Sequence, residues 1–264
     1  MGNKPALKPQ VYKDSRPAEH FDRFHDRVRR GRPDWMYEVV RLFLTPYLLL
    51  FFRTRAINTD KVPTHGPAIV APNHFSFLDH FFVSVYLRRK VQFMAKSQLF
   101  KPPLQFIYTH GGVFPIRRGQ RDEEAFRTAH AVLARGGIVV MYCEGGRSRT
   151  GDLGEAKPGI GRLALESGVP VVPAAIAGSA GVRNWKKLRF PKVTVQYDDP
   201  IRFERAEDPT RDQSQAASEI IFDRIKAQYY GLRQEGRSRA VRTARAARAA
   251  RRAAESTGRR HATQ

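Results

Sequence analysis

The chain has 264 residues, enough for one substantial domain with attachments and for a proper apolar core. Its 47 Lys and Arg against 25 Asp and Glu give a formal charge of +22, far beyond what solubility needs, which points to a polyanionic partner, nucleic acid or anionic membrane. The single cysteine, Cys143, excludes an intramolecular disulfide and fits a reducing compartment.

Residues 1–34 are mostly polar and charged and hold no apolar stretch followed by a small-residue cleavage site, so they read as a polar N-terminal extension and not as a signal peptide. The first strongly apolar block is 35-WMYEVVRLFLTPYLLLFF-52, broken by Glu38, Arg41 and Pro46. A bilayer-crossing helix needs about 20 predominantly apolar residues, so this block is marginal. With Trp35, Tyr37 and Tyr47 inside it and Arg53 and Arg55 behind it, residues 35–60 read as an N-terminal apolar membrane-associating helical segment, interfacial or half-inserted; an ordinary core helix is the alternative.

From Lys61 onward, short runs rich in branched residues (67–72, 91–95, 112–114, 137–142, 169–176 and 193–197) alternate with helical stretches near 79–89, 122–135 and 159–167. This pattern predicts an α/β domain over 61–231. Pro170 and Pro173 argue against a long uninterrupted central strand in the fifth run. Residues 232–264 form an Arg/Ala-rich basic tail: between Arg233 and Arg260 stand ten arginines and two glutamates, a net +8. Its alanines favour a helix, but arginines at 242, 245, 248 and 251 step back by about 60° each, so the charge winds around the surface with no large apolar face. Such a tail binds anions by charge alone or stays disordered.

Four clusters carry candidate chemistry. In 72-PNHFSFLDHFF-82, His74 and Asp79 are five positions apart, about 140° in azimuth on a helix, so they straddle a helix start. Ser76 and Asp79 match a capping box, with Ser76 as N-cap and Asp79 at the third helical position, leaving His74 in the entry loop where it can fold back onto the carboxylate. That arrangement permits a base oriented by an acid; the alternative is a capping aspartate beside a loop histidine. His80 points elsewhere, as packing or surface. The second cluster, 110-HGGVFPIRRG-119, ends a short strand in Arg117 and Arg118, a pair able to grip a phosphate or simply to be solvated. In the third, 142-YCEGGRSRTG-151, Glu144, Gly145, Arg147 and Arg149 follow an apolar strand, where α/β sheets commonly place ligands. No lysine and hydroxyl follow these glycines at Walker spacing. The fourth, 157-KPGIGRLALESGVPVVPAAIAGS-179, sets Lys157 before a short helix and a proline-punctuated strand.

In this order the clusters resemble the glycerolipid acyltransferases, whose best-known members are the lysophosphatidate (1-acylglycerol-3-phosphate) acyltransferases. Asn73, His74 and Asp79 match the family's N-H-x-x-x-x-D; 112-GVFPIRR-118 loosely matches its second motif; Glu144-Gly145-Gly146-Arg147 stands where E-G-T-R is usual; 169-VPVVPAAI-176 matches the fourth. The resemblance covers residues 35–200. The departure at Gly146 removes a hydroxyl and loosens that loop.

The resemblance implies an acyltransferase-type mixed sheet flanked by helices. It implies His74 as general base on a glycerol hydroxyl, Asp79 orienting it, and direct attack on the thioester of acyl-CoA or acyl carrier protein. Arg117, Glu144, Gly145 and Arg147 would hold the acceptor phosphate, with Asn73, Arg118 and Lys157 as weaker candidates. No cofactor or metal is implied. The expected partners are a lysophospholipid acceptor and an anionic phospholipid membrane, with the protein peripheral or monotopic on the cytoplasmic side of the plasma membrane. Acceptors other than lysophosphatidate, such as another lysolipid or a glycosylated phosphoinositide, stay open. So do a Cys143 acyl-enzyme, a non-catalytic basic binding module, and nucleic acid as the tail's partner.

Overall fold

A computed structural model of the chain describes residues 14–119, 122–148, 150–182 and 190–261. The branched runs become strands: β1 (Arg55–Ile57), β2 (Ala68–Pro72), β3 (Val91–Lys96), β4 (Val113–Ile116), β5 (Ile138–Val140), β6 (Val171–Ala177) and β7 (Thr194–Tyr197). They form one sheet in the order β1-β7-β6-β2-β5-β3-β4. β6 and β7 pair antiparallel while the other neighbours pair parallel, which makes the sheet mixed. β1 went unrecognised in the sequence because its three residues, Arg55, Ala56 and Ile57, are too few to carry a readable alternation.

The central strands are apolar throughout because both faces are covered. On one face Ile69, Ala71 and Val139 meet α5 (Glu123–Ala134), α6 (Pro158–Ser167) and α7 (Arg211–Glu235) through Ala129, Leu163, Ile221 and Ile225. On the other, Ala68, Val70 and Val140 meet α2 (Trp35–Phe51) and α3 (Asp79–Ser84) through Leu48, Phe82 and Val83. The split follows the two-residue period of a strand. The remaining α-helices among the described residues are α1 (Asp22–Arg30), α4 (Leu104–His110) and α8 (Arg237–His261).

Three expectations change. Pro173 lies inside β6, between two neighbouring strands, against the expectation of an interrupted strand. The β6 register runs Val171↔Ile201 and then Ala174↔Tyr197, so one extra residue on the partner side opposes Pro173. A bulge is where a missing N–H costs no ladder bond. Within the polar extension, Phe21, Phe24 and Val28 are buried: an i, i+3, i+7 stripe narrow enough to be lost among the surrounding charges. The tail is a helix packed along the edge strand. Ala240, Val241 and Ala244 lean on the core, Arg237 donates to Arg53 O, and Arg248 and Arg251 reach Asp60 at 4.0 and 3.6 Å. Small side chains suffice for this seat, because the edge of a sheet offers a backbone ridge and not a deep groove.

Candidate active site

β2, β3, β4 and β5 run parallel, so the segments after their C-terminal ends share one edge of the sheet. His74 follows β2, Arg117 and Arg118 follow β4, and Glu144 to Arg147 follow β5. The sheet alone thus brings three of the four clusters together.

His74 folds back as its spacing allows. Its Nδ1 lies 2.9 Å from Asp79 Oδ2, which also accepts from Phe75 N at 2.6 Å and Ser76 N at 2.7 Å. The expected capping box is only half formed. The helix begins at Asp79 itself, and Ser76 Oγ accepts from Leu78 N at 3.2 Å, one residue short of the expected partner, because the Asp79 carboxylate draws the whole entry turn around itself. Asp79 is completely buried and His74 is 4% exposed. With Nδ1 as donor to the carboxylate, Nε2 is the nitrogen that can take a proton. Burial depresses the His74 pKa against the opposing pull of Asp79, and Arg118 and Arg147 depress it further, so the imidazole is held neutral.

The sequence missed one neighbour. Tyr142 stacks on His74 with ring centroids 3.9 Å apart and planes 18° from parallel, fixing the imidazole plane. Its only sequence signal was an aromatic at the end of the run 137–142. His80, read from the sequence as packing or surface, sits edge-on to His74 at 5.4 Å, and burial pulls its pKa down to about 3, so it adds no charge beside the base. Cys143 is 1% exposed and burial drives its thiol pKa far up, which disfavours a thiolate nucleophile.

The loop after β5 is laced to the His74 loop. Cys143 N donates to Pro72 O at 3.2 Å, His74 N to Glu144 Oε1 at 2.9 Å, and Ser148 N to His74 O at 2.8 Å. Glu144 Oε2 also accepts from Gly154 N at 2.8 Å. Glu144 is therefore engaged by backbone and holds the loops that carry His74 and Arg147. Gly145 turns there with φ +63°, a left-handed conformation that favours glycine. Asn73 brackets β2 to β6, accepting from Ile176 N at 2.7 Å and donating to Ile176 O at 3.1 Å. Lys157 points to Glu155 at 3.3 Å on the surface. Arg118, a weaker candidate in the sequence, is the arginine of its pair whose charge acts on His74, His80 and Tyr142, while the Arg117 backbone N–H donates to Asp122 at 2.6 Å. Arg149 lies outside the described residues.

Two cavities flank the 74–82 segment. One is apolar, walled by Val40 and Leu44 of α2, Phe81 and Val85 around α3, Phe93 of β3 and Val113 of β4, with His80 and Phe77 at its border. The other places Arg147 with Ser76, Phe77 and Leu78 opposite Tyr47 and Phe52. Phe77 borders both.

Burial lifts the Glu144 pKa from 4.5 to about 7 despite its two N–H donors. A carboxyl with a raised folded-state pKa contributes stability that is present below pH 4.5 and lost as pH rises through 7. At about 1.4 kcal/mol per pKa unit, that contribution is at most about 3.5 kcal/mol. Glu144→Gln should therefore flatten the fall in stability between pH 4.5 and 7, as read by urea midpoints, on top of a pH-independent loss from the stranded donor. Parallel wild-type and variant curves would place the titration elsewhere.

Residues 53–177 match the family model described as Acyltransferase. The chain is 36% identical over 135 residues to the human 1-acyl-sn-glycerol-3-phosphate acyltransferase beta, covering 49% of this chain and 48% of the relative. It is 31% identical over 160 residues to a probable 1-acyl-sn-glycerol-3-phosphate acyltransferase of Mycoplasma genitalium, covering 57% and 60%. It spans about half the length of the curated relatives it matches. Its fold is that of the 1-acyl-sn-glycerophosphate acyltransferase PlsC of Thermotoga maritima, with a TM-score of 0.56 at 19% identity over 81% of this chain and 89% of that one. The four clusters lie inside or at the border of the segment that matches this family model, and the relatives that segment resembles are named 1-acyl-sn-glycerol-3-phosphate acyltransferases.

Proposed function

We propose that the protein moves a fatty acyl group from acyl-CoA or acyl carrier protein to a hydroxyl of lysophosphatidate, giving phosphatidate. The observation that carries this reading is the His74–Asp79 bond at 2.9 Å, set between an apolar cavity and a cleft holding Arg147. His74 Nε2 takes the hydroxyl proton as the oxygen attacks the thioester carbonyl. The tetrahedral adduct collapses, expels thiolate and returns the proton from His74 to sulfur. The buried Asp79 carboxylate stabilises the imidazolium in between. The apolar cavity takes the acyl chain, and Arg147 with Arg118 takes the acceptor phosphate. No cofactor or metal enters this chemistry.

Offering the full-length protein a panel of lysolipids with one acyl-CoA, and identifying products by mass spectrometry, tests the reading; lysophosphatidate should be the preferred acceptor. A charge-assisted contact contributes about 1.5–3 kcal/mol. Arg147→Ala should therefore raise the acceptor KM about tenfold or more and leave the donor KM nearly unchanged. A donor-only effect would reassign the arginine, and preference for an acceptor without a phosphate would reject the substrate.

We further propose that α2 seats the protein on the cytoplasmic face of the plasma membrane, the charge of α8 adding attraction to anionic lipid. No helix among the described residues is long and apolar enough to cross a membrane. Leu48 and Phe52 are fully buried, whereas Leu42, Phe43 and Leu50 are 69%, 71% and 74% exposed. Serine at these three exposed positions should release the protein from phosphatidylcholine vesicles in a flotation assay without lowering Tm. Unchanged flotation would remove α2 as the anchor.

A further inference from the structure

The sheet edge opposite the active site carries a cavity of about 330 Å³ where β3 and β5 begin. Arg32, Arg89, Lys90 and Arg135 line it, with Gln92 of β3 and the glycines that lead into β5. Arg89 donates to the carbonyls of Pro63, Gly66 and Gly136, and Arg135 to those of Val28, Arg29 and Gly31. Carbonyls satisfy these donors but leave the charges uncompensated. Lys90 has a carboxylate, Glu38, at 3.4 Å, but no acidic residue among the described ones lines the cavity itself. Arg32 is exposed on the rim, and its charge acts on both Arg89 and Arg135 and lowers their pKa along with burial.

A second observation is independent of charge. Gln92 is 3% exposed, and its Nε2 has no hydrogen-bond partner among the described residues; Arg135 Nε is likewise buried without one among them. Buried donors are nearly always matched, so two orphans on the wall of one cationic cavity mark a missing acceptor. Crowded like charges and unmet donors are relieved together by one group: a compact oxyanion with several acceptor oxygens.

We propose that this cavity is a second anion site, taking a phosphate group that is either free in solution or borne on a phospholipid headgroup, separate from the acceptor phosphate of the acyl-transfer reaction. Both sources offer the same chemistry. Trp35, 58% exposed at the start of α2, stands three residues from Arg32, so a headgroup of the bilayer under α2 can reach the rim. The site lies at the N-terminal ends of β3 and β5, while His74 and Glu144 follow the C-terminal ends of β2 and β5 at the other edge of the same parallel strands. It does not rest on the acyl-transfer reading.

Equilibrium dialysis of the full-length protein with radiolabelled inorganic phosphate at fixed ionic strength, alongside Arg32→Ala, Gln92→Glu and Arg147→Ala, tests the site. Arg147→Ala should keep binding. Arg32→Ala should weaken it about tenfold or more, the effect of losing one charge-assisted contact. Gln92→Glu should abolish it, with Tm at or above wild type, because the new carboxylate supplies the missing negative charge from within. Vesicles of phosphatidylcholine with and without phosphatidylglycerol separate the sources. If Arg32→Ala reduces the preference for phosphatidylglycerol, the occupant is a headgroup; if that preference persists while phosphate binding is lost, it is a soluble phosphate. The proposal is overturned if wild type binds no phosphate, if Arg147→Ala alone removes it, or if Gln92→Glu binds phosphate as wild type does or lowers Tm.

Discussion

Replacing His74 by alanine should lower turnover by about 10²–10⁴-fold, the range typical of losing a general base, while the protein stays folded. The fold survives because the backbone bonds at position 74 do not involve the ring: the His74 N–H still meets Glu144 and its carbonyl still accepts from Ser148. What disappears is the proton acceptor and the stack on Tyr142. A pH profile gives a second readout. Burial and the two arginines pull the His74 pKa below its ordinary 6.5, so wild-type kcat/KM should begin its acidic decline below that pH. In the alanine variant this limb should vanish with the activity. Near-normal turnover in a folded His74→Ala protein, by thioester cleavage assay with far-ultraviolet circular dichroism as the folding control, would sink the mechanism.

The second large effect is at Asp79, where alanine should cost both stability and turnover. One carboxylate oxygen serves His74 Nδ1 and the N–H groups of Phe75 and Ser76 within 2.9 Å. Removing it strands three buried donors at about 1–3 kcal/mol each. A loss of roughly 3 kcal/mol or more is a large part of the 5–15 kcal/mol that usually holds a domain together. Asp79→Asn separates the two roles: its amide oxygen still accepts from the turn, but without charge it cannot stabilise an imidazolium. Its urea midpoint should lie between those of wild type and alanine, and its turnover should fall well below wild type. Full turnover in the asparagine variant would reduce Asp79 to a residue that only shapes the turn.

How much of this was legible in the chain itself varies by feature. Of the seven strands among the described residues, six stood out as branched runs, because strands buried on both faces must be apolar along their whole length. The His74–Asp79 pairing was legible as a permitted geometry, since a five-residue spacing across a helix start is a local property. That the charge of Arg118 acts on His74 was not legible, because a pair of adjacent arginines at a strand end carries no local sign of which groups a neighbouring loop brings near it. Tyr142 was equally hidden, since an aromatic at a strand end reads as core until another loop brings an imidazole against it.

By itself the sequence determined the α/β class, the order of the four clusters and the His74–Asp79 turn, all encoded in periodicity and spacing over a few residues. Only the tertiary structure decided the rest: that Glu144 holds loops through backbone donors, that Pro173 lies in a central strand at a bulge, that α8 seats its small residues on an edge strand, and that arginines from three distant segments crowd one cavity. Those outcomes depend on which strand lies beside which, and contacts between residues far apart in the chain leave no trace in local pattern.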